Sequence, residues 1–276
     1  GDRVFVMPGT YFENIDFLVK SIAVESTAGA AVTLIRGDQS RSVVLIGGVQ
    51  PVLHGFTVEN GAGTSFGSGS YGGGILLYDA HAALVLECVV RGNYARNGDG
   101  IASYLATGAV ADTLIENNGG PTYPGWCQTV DSGGGVWGDA GLVLDHCTIR
   151  HNSATLSGGG VYGASLYDCT VTDNLSAEGA GVSHVYAYGT TIANNVSNSC
   201  DLSYTAAGGA ENSTLEWCTI SGNSTWDEAG GAKNSVLRHC TVRGNQVLGA
   251  EWLPSWGGGA LNCVLEDCLV ENNRVP

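Results

Sequence analysis

The chain has 276 residues, with 43 glycines, nine cysteines, a single methionine and a formal net charge of −15 although only 13% of its residues are charged. Eleven scattered basic residues do not form the clustered Lys/Arg surface that a phosphate backbone demands, which excludes nucleic acid as a partner. The longest apolar runs, such as Val43 to Ile46, are far shorter than a bilayer is thick, so this segment is not expected to insert into a membrane.

The chain opens at Gly1 without Met, which reads as a processed product or a piece of a longer chain. Lys occurs only at positions 20 and 233. Amphipathic helices use long flexible side chains heavily, so a helical fold is not expected. Residues 1–50 read as N-terminal rungs and residues 51–276 as regular repeats. No Pro/Ser-rich linker separates them, so 1–276 reads as one domain.

The repeat carries most of the information. A signature Cys-[Thr/Val/Leu]-[Ile/Val]-x-x-Asn returns about every 22 residues, and a fixed period of this size means a solenoid. It runs from Cys88 to Asn93, Cys147 to Asn152, Cys169 to Asn174, Cys218 to Asn223, Cys240 to Asn245 and Cys268 to Asn273. Thr113 and Thr190 take the Cys slot in copies ending at Asn118 and Asn195, and Gly55 takes it in a copy ending at Asn60. Cys and the Ile/Val two residues on share a face, which is strand alternation. The Leu three before the Cys breaks that alternation, as a bend between two short strands would. Three short strands and three turns close one rung, and stacked rungs make parallel sheets around inward Leu, Cys and Val/Ile columns.

The nine Asn residues are expected to form an inward ladder, since Asn tolerates a left-handed turn and its amide can bond to the amides above and below. Burial would keep the sequons at Asn174, Asn195 and Asn223 structural; a further sequon begins at Asn212, outside the slot. The slot cysteines read as small buried hydrophobes with inert thiols. Cys127, Cys200 and Cys263 fall outside the slot, and Cys127 and Cys200, both in inserted loops, could pair. Glycine clusters such as Gly158 to Gly160 supply backbone freedom at one corner.

These motifs resemble the right-handed parallel β-helix proteins of the pectate-lyase-like superfamily. The opening Gly1-Asp2-Arg3-Val4-Phe5-Val6-Met7-Pro8-Gly9-Thr10-Tyr11-Phe12-Glu13-Asn14-Ile15, with the later Gly-Gly-Ala/Val and Ile/Val-x-x-Asn, is similar to repetitive bacterial surface members such as polymorphic outer-membrane proteins and other autotransported adhesins. The resemblance implies the fold across the whole chain. It leaves the activity open, because that fold hosts lyases, hydrolases, adhesins and inert scaffolds.

Insertions fall mostly between the Asn slot and the next glycine cluster, so they would emerge along one corner of the prism. They carry many of the aromatic residues, and rings on a rigid scaffold can stack on sugar faces. Tyr123, Trp126, Tyr204, Trp226, Trp252 and Trp256 are therefore the candidate ligand-binding residues; the competing reading is that such rings pack on one another and close the loops. Asp131, Glu178, Asp201, Asp227, Glu228 and Glu251 accompany them. A glycosidase needs two carboxylates facing one sugar, and rung spacing would let Asp131, Glu178 and Asp227 pair with neighbours. No catalytic set can be named from spacing. The six histidines show no metal spacing, Arg91, Arg150 and Arg243 share a slot on rungs that are not contiguous, and no cofactor is expected, Ca²⁺ being the one cation the carboxylates could recruit.

The sequence thus predicts an all-β solenoid: a single right-handed parallel β-helix with inward Cys and Asn ladders. The expected function is a non-catalytic extracellular or cell-surface scaffold, adhesin or filament component whose aromatic loops contact a glycan or a protein partner, with end-to-end self-association as a further expectation. The alternative is a polysaccharide lyase or glycoside hydrolase acting along the loop-bearing corner.

Overall fold

A computed structural model describes residues 1–67, 69–120, 131–139, 141–198, 206–226, 228–249 and 256–276. All of its regular secondary structure is strand, and no helix of the described residues is long and apolar enough to cross a membrane.

Each coil contributes three short strands to three long sheets. Sheet 1 has eleven strands, from Asp2–Val6 to Val264–Glu266; sheet 2 has eleven, from Gly9–Phe12 to Leu269–Glu271; sheet 3 has ten, from Ile15–Asp16 to Ala260–Leu261. Strands follow one another in chain order within each sheet and pair in parallel. A shorter fourth sheet, from Leu175–Ser176 to Gln246–Val247, widens the corner between sheets 2 and 3 in four coils.

Like residues stack in register. In sheet 2, Ile149 lies opposite Val171, then Ile192, Ile220 and Val242. In sheet 1, Leu144 is followed by Leu166, Ala187, Leu215 and Leu237. In sheet 3, Val136 is followed by Val161, Val182, Ala210 and Ala232. All are fully buried, so the alternation in each short strand generates one continuous core along the axis.

The corners explain the motif. His146 has φ +51° and Asp168 φ +50°; this left-handed residue turns the chain so that the following Cys points inward. Cys147 Sγ lies 3.3 Å from the Val110 carbonyl of the neighbouring coil. Thr113 fills the same slot and its Oγ1 accepts from the Cys88 amide at 3.2 Å. Cys263, outside the slot by sequence, sits at the third corner in line with Ser213 and Ser235. Seven described cysteines are free thiols; Cys127 and Cys200 lie outside the described residues.

At the second corner the Asn side chains form the ladder. Asn93 Nδ2 donates to Asn118 Oδ1 at 3.0 Å, and the same bond repeats through Asn152, Asn174, Asn195, Asn223, Asn245 and Asn273 at 3.0–3.1 Å. Each Nδ2 also donates to a sheet 2 carbonyl of the preceding coil, as Asn195 does to Val171 O at 3.0 Å. Oδ1 additionally accepts a backbone N–H, as Asn195 Oδ1 does from Asn174 N at 3.0 Å.

Two expectations are corrected here. The left-handed residue is the one before the Asn, as in Asp173 (φ +57°) and Asn194 (φ +56°), and not the ladder Asn itself. Asn60 is not a ladder member: the true register of that coil runs one residue later. Gly55 (φ +78°) is the turning residue and buried Phe56 fills the Cys slot. Gly61 N then occupies the ladder position and donates to Asn93 Oδ1 at 2.9 Å, while Asn60 bonds to Gly37 O. The ladder therefore has eight members.

The last glycine of each cluster is required by close approach more than by backbone freedom. A Cβ on Gly181 would lie 2.5 Å from Gly209 O and 2.8 Å from Asn195 Nδ2. Glycine at this column lets neighbouring coils close over the ladder.

Candidate functional site on the insertion-bearing edge

Departures from the repeat concentrate at the edge between the ladder and sheet 3. The best described is the hairpin Thr64–Phe66/Gly69–Tyr71, an antiparallel pair with Ser65 opposite Ser70. Alternation puts Phe66 and Tyr71 on one face and Ser65 and Ser70 on the other. The aromatic face docks onto the outside of sheet 3: Phe66 stacks on Tyr78 with centroids 4.6 Å apart and planes 9° apart. Tyr71 lies 4.9 Å from Tyr104 and 5.5 Å from Trp137. At this insertion the rings pack on one another, as the competing reading had it.

Docking leaves the serine face opposite the next coils. Between them lies a cavity of about 350 Å³. The hairpin lines it with Ser65, Gly67, Gly69 and Ser70, and the coils with Tyr94, Arg96 and Asp131. Arg96 N donates to Ser70 Oγ at 2.9 Å and Asn97 N to Ser70 O at 2.9 Å, tying hairpin to coil. Asp131 is 6% exposed and its amide donates to Thr155 Oγ1 at 3.1 Å. Burial pushes its carboxyl upward, against the pull of the Arg96 charge. Asp99 is fully enclosed and takes the Ala95 amide at 2.6 Å; burial, reinforced by Asp131, drives its carboxyl well above the carboxylate range. Burial thus favours the protonated form of both carboxyls, and of the two Asp131 is the one that lines the cavity with Arg96.

Farther along the same edge is a second cluster. Glu211 and Lys233 are opposite one another on adjacent strands of sheet 3, each 5% exposed. Lys233 Nζ is 2.8 Å from Glu228 and 3.9 Å from Glu211, and Ser157 Oγ donates to Glu178 Oε2 at 3.0 Å. Burial pushes the Glu211 carboxyl up to about 7, Lys233 opposing and Glu178 adding. Among the described residues its Oε2 is buried with no hydrogen-bond partner, an arrangement that burial tolerates better in a protonated carboxyl than in an ionised one.

Of the six candidate rings, Trp226 and Trp256 are exposed by 51% and 57% at this edge; Tyr123, Trp126, Tyr204 and Trp252 lie outside the described residues, as do Asp201, Asp227 and Glu251. Asp131 joins Asp99, and Glu178 and Glu228 join Glu211. The last of these, with Asp99, escaped the spacing argument. Asp99 had a signal: it stands in the glycine column, Gly98-Asp99-Gly100 where another coil has Gly133-Gly134-Gly135. At the Cys corner, Asp145, His146 and Asp168 bring ligand atoms within 4.8 Å of one another, a grouping across two coils that linear spacing cannot show. The shared Arg slot is structural: Arg91 pairs with Glu59 at 3.1 Å and Arg150 with Glu116 at 2.7 Å, both on the surface.

Residues 42–208 match the family model described as right handed beta helix region. The chain belongs to that family. Among solved structures, this β-helix is similar to ORF18 of Geobacillus virus E2, at 12% identity and a TM-score of 0.56, over 98% of this chain and 52% of that one; it therefore spans about half the length of the viral protein. It is also similar to the alginate lyase from Paenibacillus sp. str. FPU-7 (12% identity, TM-score 0.48, 94% and 92% covered) and to the pectin methylesterase PemA from Erwinia chrysanthemi (9%, 0.47, 85% and 80%). At such identities the likeness is one of fold. No curated protein matches the sequence. The function of this β-helix must therefore be argued from its own edge.

Proposed function

We propose that this β-helix is an extracellular or cell-surface scaffold that binds a glycan along the edge between the ladder and sheet 3. One observation carries the reading: the described hairpin, the cavity, both polar clusters and the exposed Trp226 and Trp256 share this edge. The Cys corner, by contrast, repeats from Gly55 onward as a tight turn with one left-handed residue. A rigid three-sheet prism with variable, aromatic- and carboxylate-bearing additions on one side holds a long ligand parallel to its axis. A net charge of −15 favours neutral chains over anionic ones. A protein partner at the same edge is the competing occupant. Affinity electrophoresis through gels containing neutral or acidic polysaccharides tests the reading. Retardation by at least one neutral polysaccharide, weakened in Trp226→Ala and Trp256→Ala, is expected; unretarded migration in every gel would refute it.

An enzymatic reading has one observation in its favour, the buried Glu211 carboxyl with its proton held to about pH 7 beside Lys233, as a general acid requires. Product chromatography after incubation with polysaccharides and Ca²⁺ separates the two. Oligosaccharides that disappear in Glu211→Gln would make the protein an enzyme.

A further inference from the structure

We infer that the cavity beneath the hairpin is a binding subsite for a single neutral sugar residue, with Asp131 and Arg96 as the groups that select it. This rests on the glycan reading above and adds the place, the residues and the chemical class of the sugar.

The hairpin is the first reason. It interrupts the repeat, and its two faces do different jobs. Phe66 and Tyr71 are consumed in docking on Tyr78, Tyr104 and Trp137, which fixes the position of Ser65 and Ser70 on the opposite face. Ser70 is held from two sides, its Oγ and its carbonyl both accepting backbone N–H groups from residues 96 and 97. A wall so constrained is preorganised, and little entropy is lost when it binds.

The second reason is the chemistry of the opposite wall. A carboxylate and a guanidinium are both planar and bidentate, one accepting and one donating, and together match the adjacent hydroxyls of a sugar ring. Tyr94 adds an aromatic surface, 45% exposed, for the apolar face of that ring. The cavity, at about 350 Å³, is at the small end of ligand sites, suited to one residue or a chain end.

Charge selects the class. Asp99 does not line the cavity, and the two ionisable groups of opposite sign that do are Asp131 and Arg96. A uronate would bring a second carboxylate toward Asp131 within a protein of net charge −15 and is disfavoured on both counts.

The test is isothermal titration of the whole chain with neutral oligosaccharides (gluco-, manno- and galacto-series) and with oligouronates. The wild type is expected to bind at least one neutral series and to bind uronates at least tenfold more weakly. Asp131→Asn keeps the shape of the side chain but removes its charge, and should weaken neutral binding at least tenfold. Ser65→Trp, at an exposed hairpin position, fills the cavity from outside and should abolish it, with circular dichroism confirming the fold of each variant. Neutral binding that survives Ser65→Trp unchanged would overturn the subsite while leaving a glycan-binding edge in place. Preferential uronate binding would overturn the assigned class, and absence of binding to every sugar would overturn both readings.

Discussion

Replacing Glu211 by Gln should make the protein more stable at neutral pH, although it removes one half of an ion pair. In the folded chain burial lifts the Glu211 carboxyl from its ordinary 4.5 to about 7. Between those values the folded state holds a proton that the unfolded state has lost, so stability falls as pH rises through the window. A gap of about 2.5 pH units corresponds to about 3 kcal/mol of destabilisation once the group is ionised. The groups facing it set this balance: Lys233 favours the ionised form, while burial, Glu178 and Glu228 oppose it. Gln reproduces the neutral shape without the charge, and Lys233 retains Glu228 at 2.8 Å. Urea unfolding followed by circular dichroism between pH 4 and pH 8, on wild type and Glu211→Gln, isolates the effect as a difference. Near pH 4 the two should match; by pH 8 the variant should be the more stable by up to about 3 kcal/mol. A difference that does not change with pH, or a variant less stable at pH 8, would refute the reasoning.

Three further outcomes follow from the corners of the prism. Asn195→Ala removes the side-chain donor to Val171 O and to Asn223 Oδ1, which keeps only the backbone N–H of residue 195, and removes the acceptor of the Asn174 backbone N–H and of one Asn174 Nδ2 bond, and should cost about 3 kcal/mol in urea unfolding; a loss below about 1 kcal/mol would mean that the ladder is not the fastener described. Gly181→Ala forces a Cβ to within 2.5 Å of Gly209 O and should cost about 2–3 kcal/mol. Gly92→Ala (φ +60°), whose Cβ would meet nothing within 4 Å, should cost only about 1 kcal/mol of backbone strain, so the ratio of the two, read from denaturation midpoints, separates crowding from conformation. Burial pushes the Cys88 thiol up to about 11, so peptide mapping after iodoacetamide treatment at pH 8 should find it unmodified in native protein and alkylated after denaturation. Labelling of Cys88 in the native state would mean that the column opens.

What could be read from the sequence was whatever the rungs repeat. The inward Leu, Ile/Val, Cys and Asn columns are each written many times at one spacing, so a single misfit hardly matters. The one register error shows the limit: Gly55 and Asn60 preserve the spacing, but Phe56 in the Cys slot does not look like Cys, and only the stacking of Thr57 on Val89 reveals the offset. The candidate site has no such redundancy. Asp99, Asp131, Glu211 and Lys233 each occur once, on different coils, and become neighbours only through lateral stacking. Asp145, His146 and Asp168 meet because two of them occupy left-handed turns one coil apart. The role of Phe66 and Tyr71 was equally hidden, since whether a ring faces a ligand or a neighbour depends on which face of the hairpin is covered.

The asparagine ladder also gives the molecule an electrical direction. In its seven side-chain bonds the donor Nδ2 is always on the earlier coil and the acceptor Oδ1 on the later one. Along a parallel sheet the peptide dipoles project both ways across the strands and largely cancel, whereas eight aligned carboxamides add, as peptide units do along a helix. Each bond in such a row polarises the next. Interrupting it at Asn195 divides one long dipole into two short ones, while interrupting it at Asn273 merely shortens it. Chemically identical substitutions should therefore be graded by their distance from the middle of the row, which makes the ladder a collective element and not seven separate hydrogen bonds.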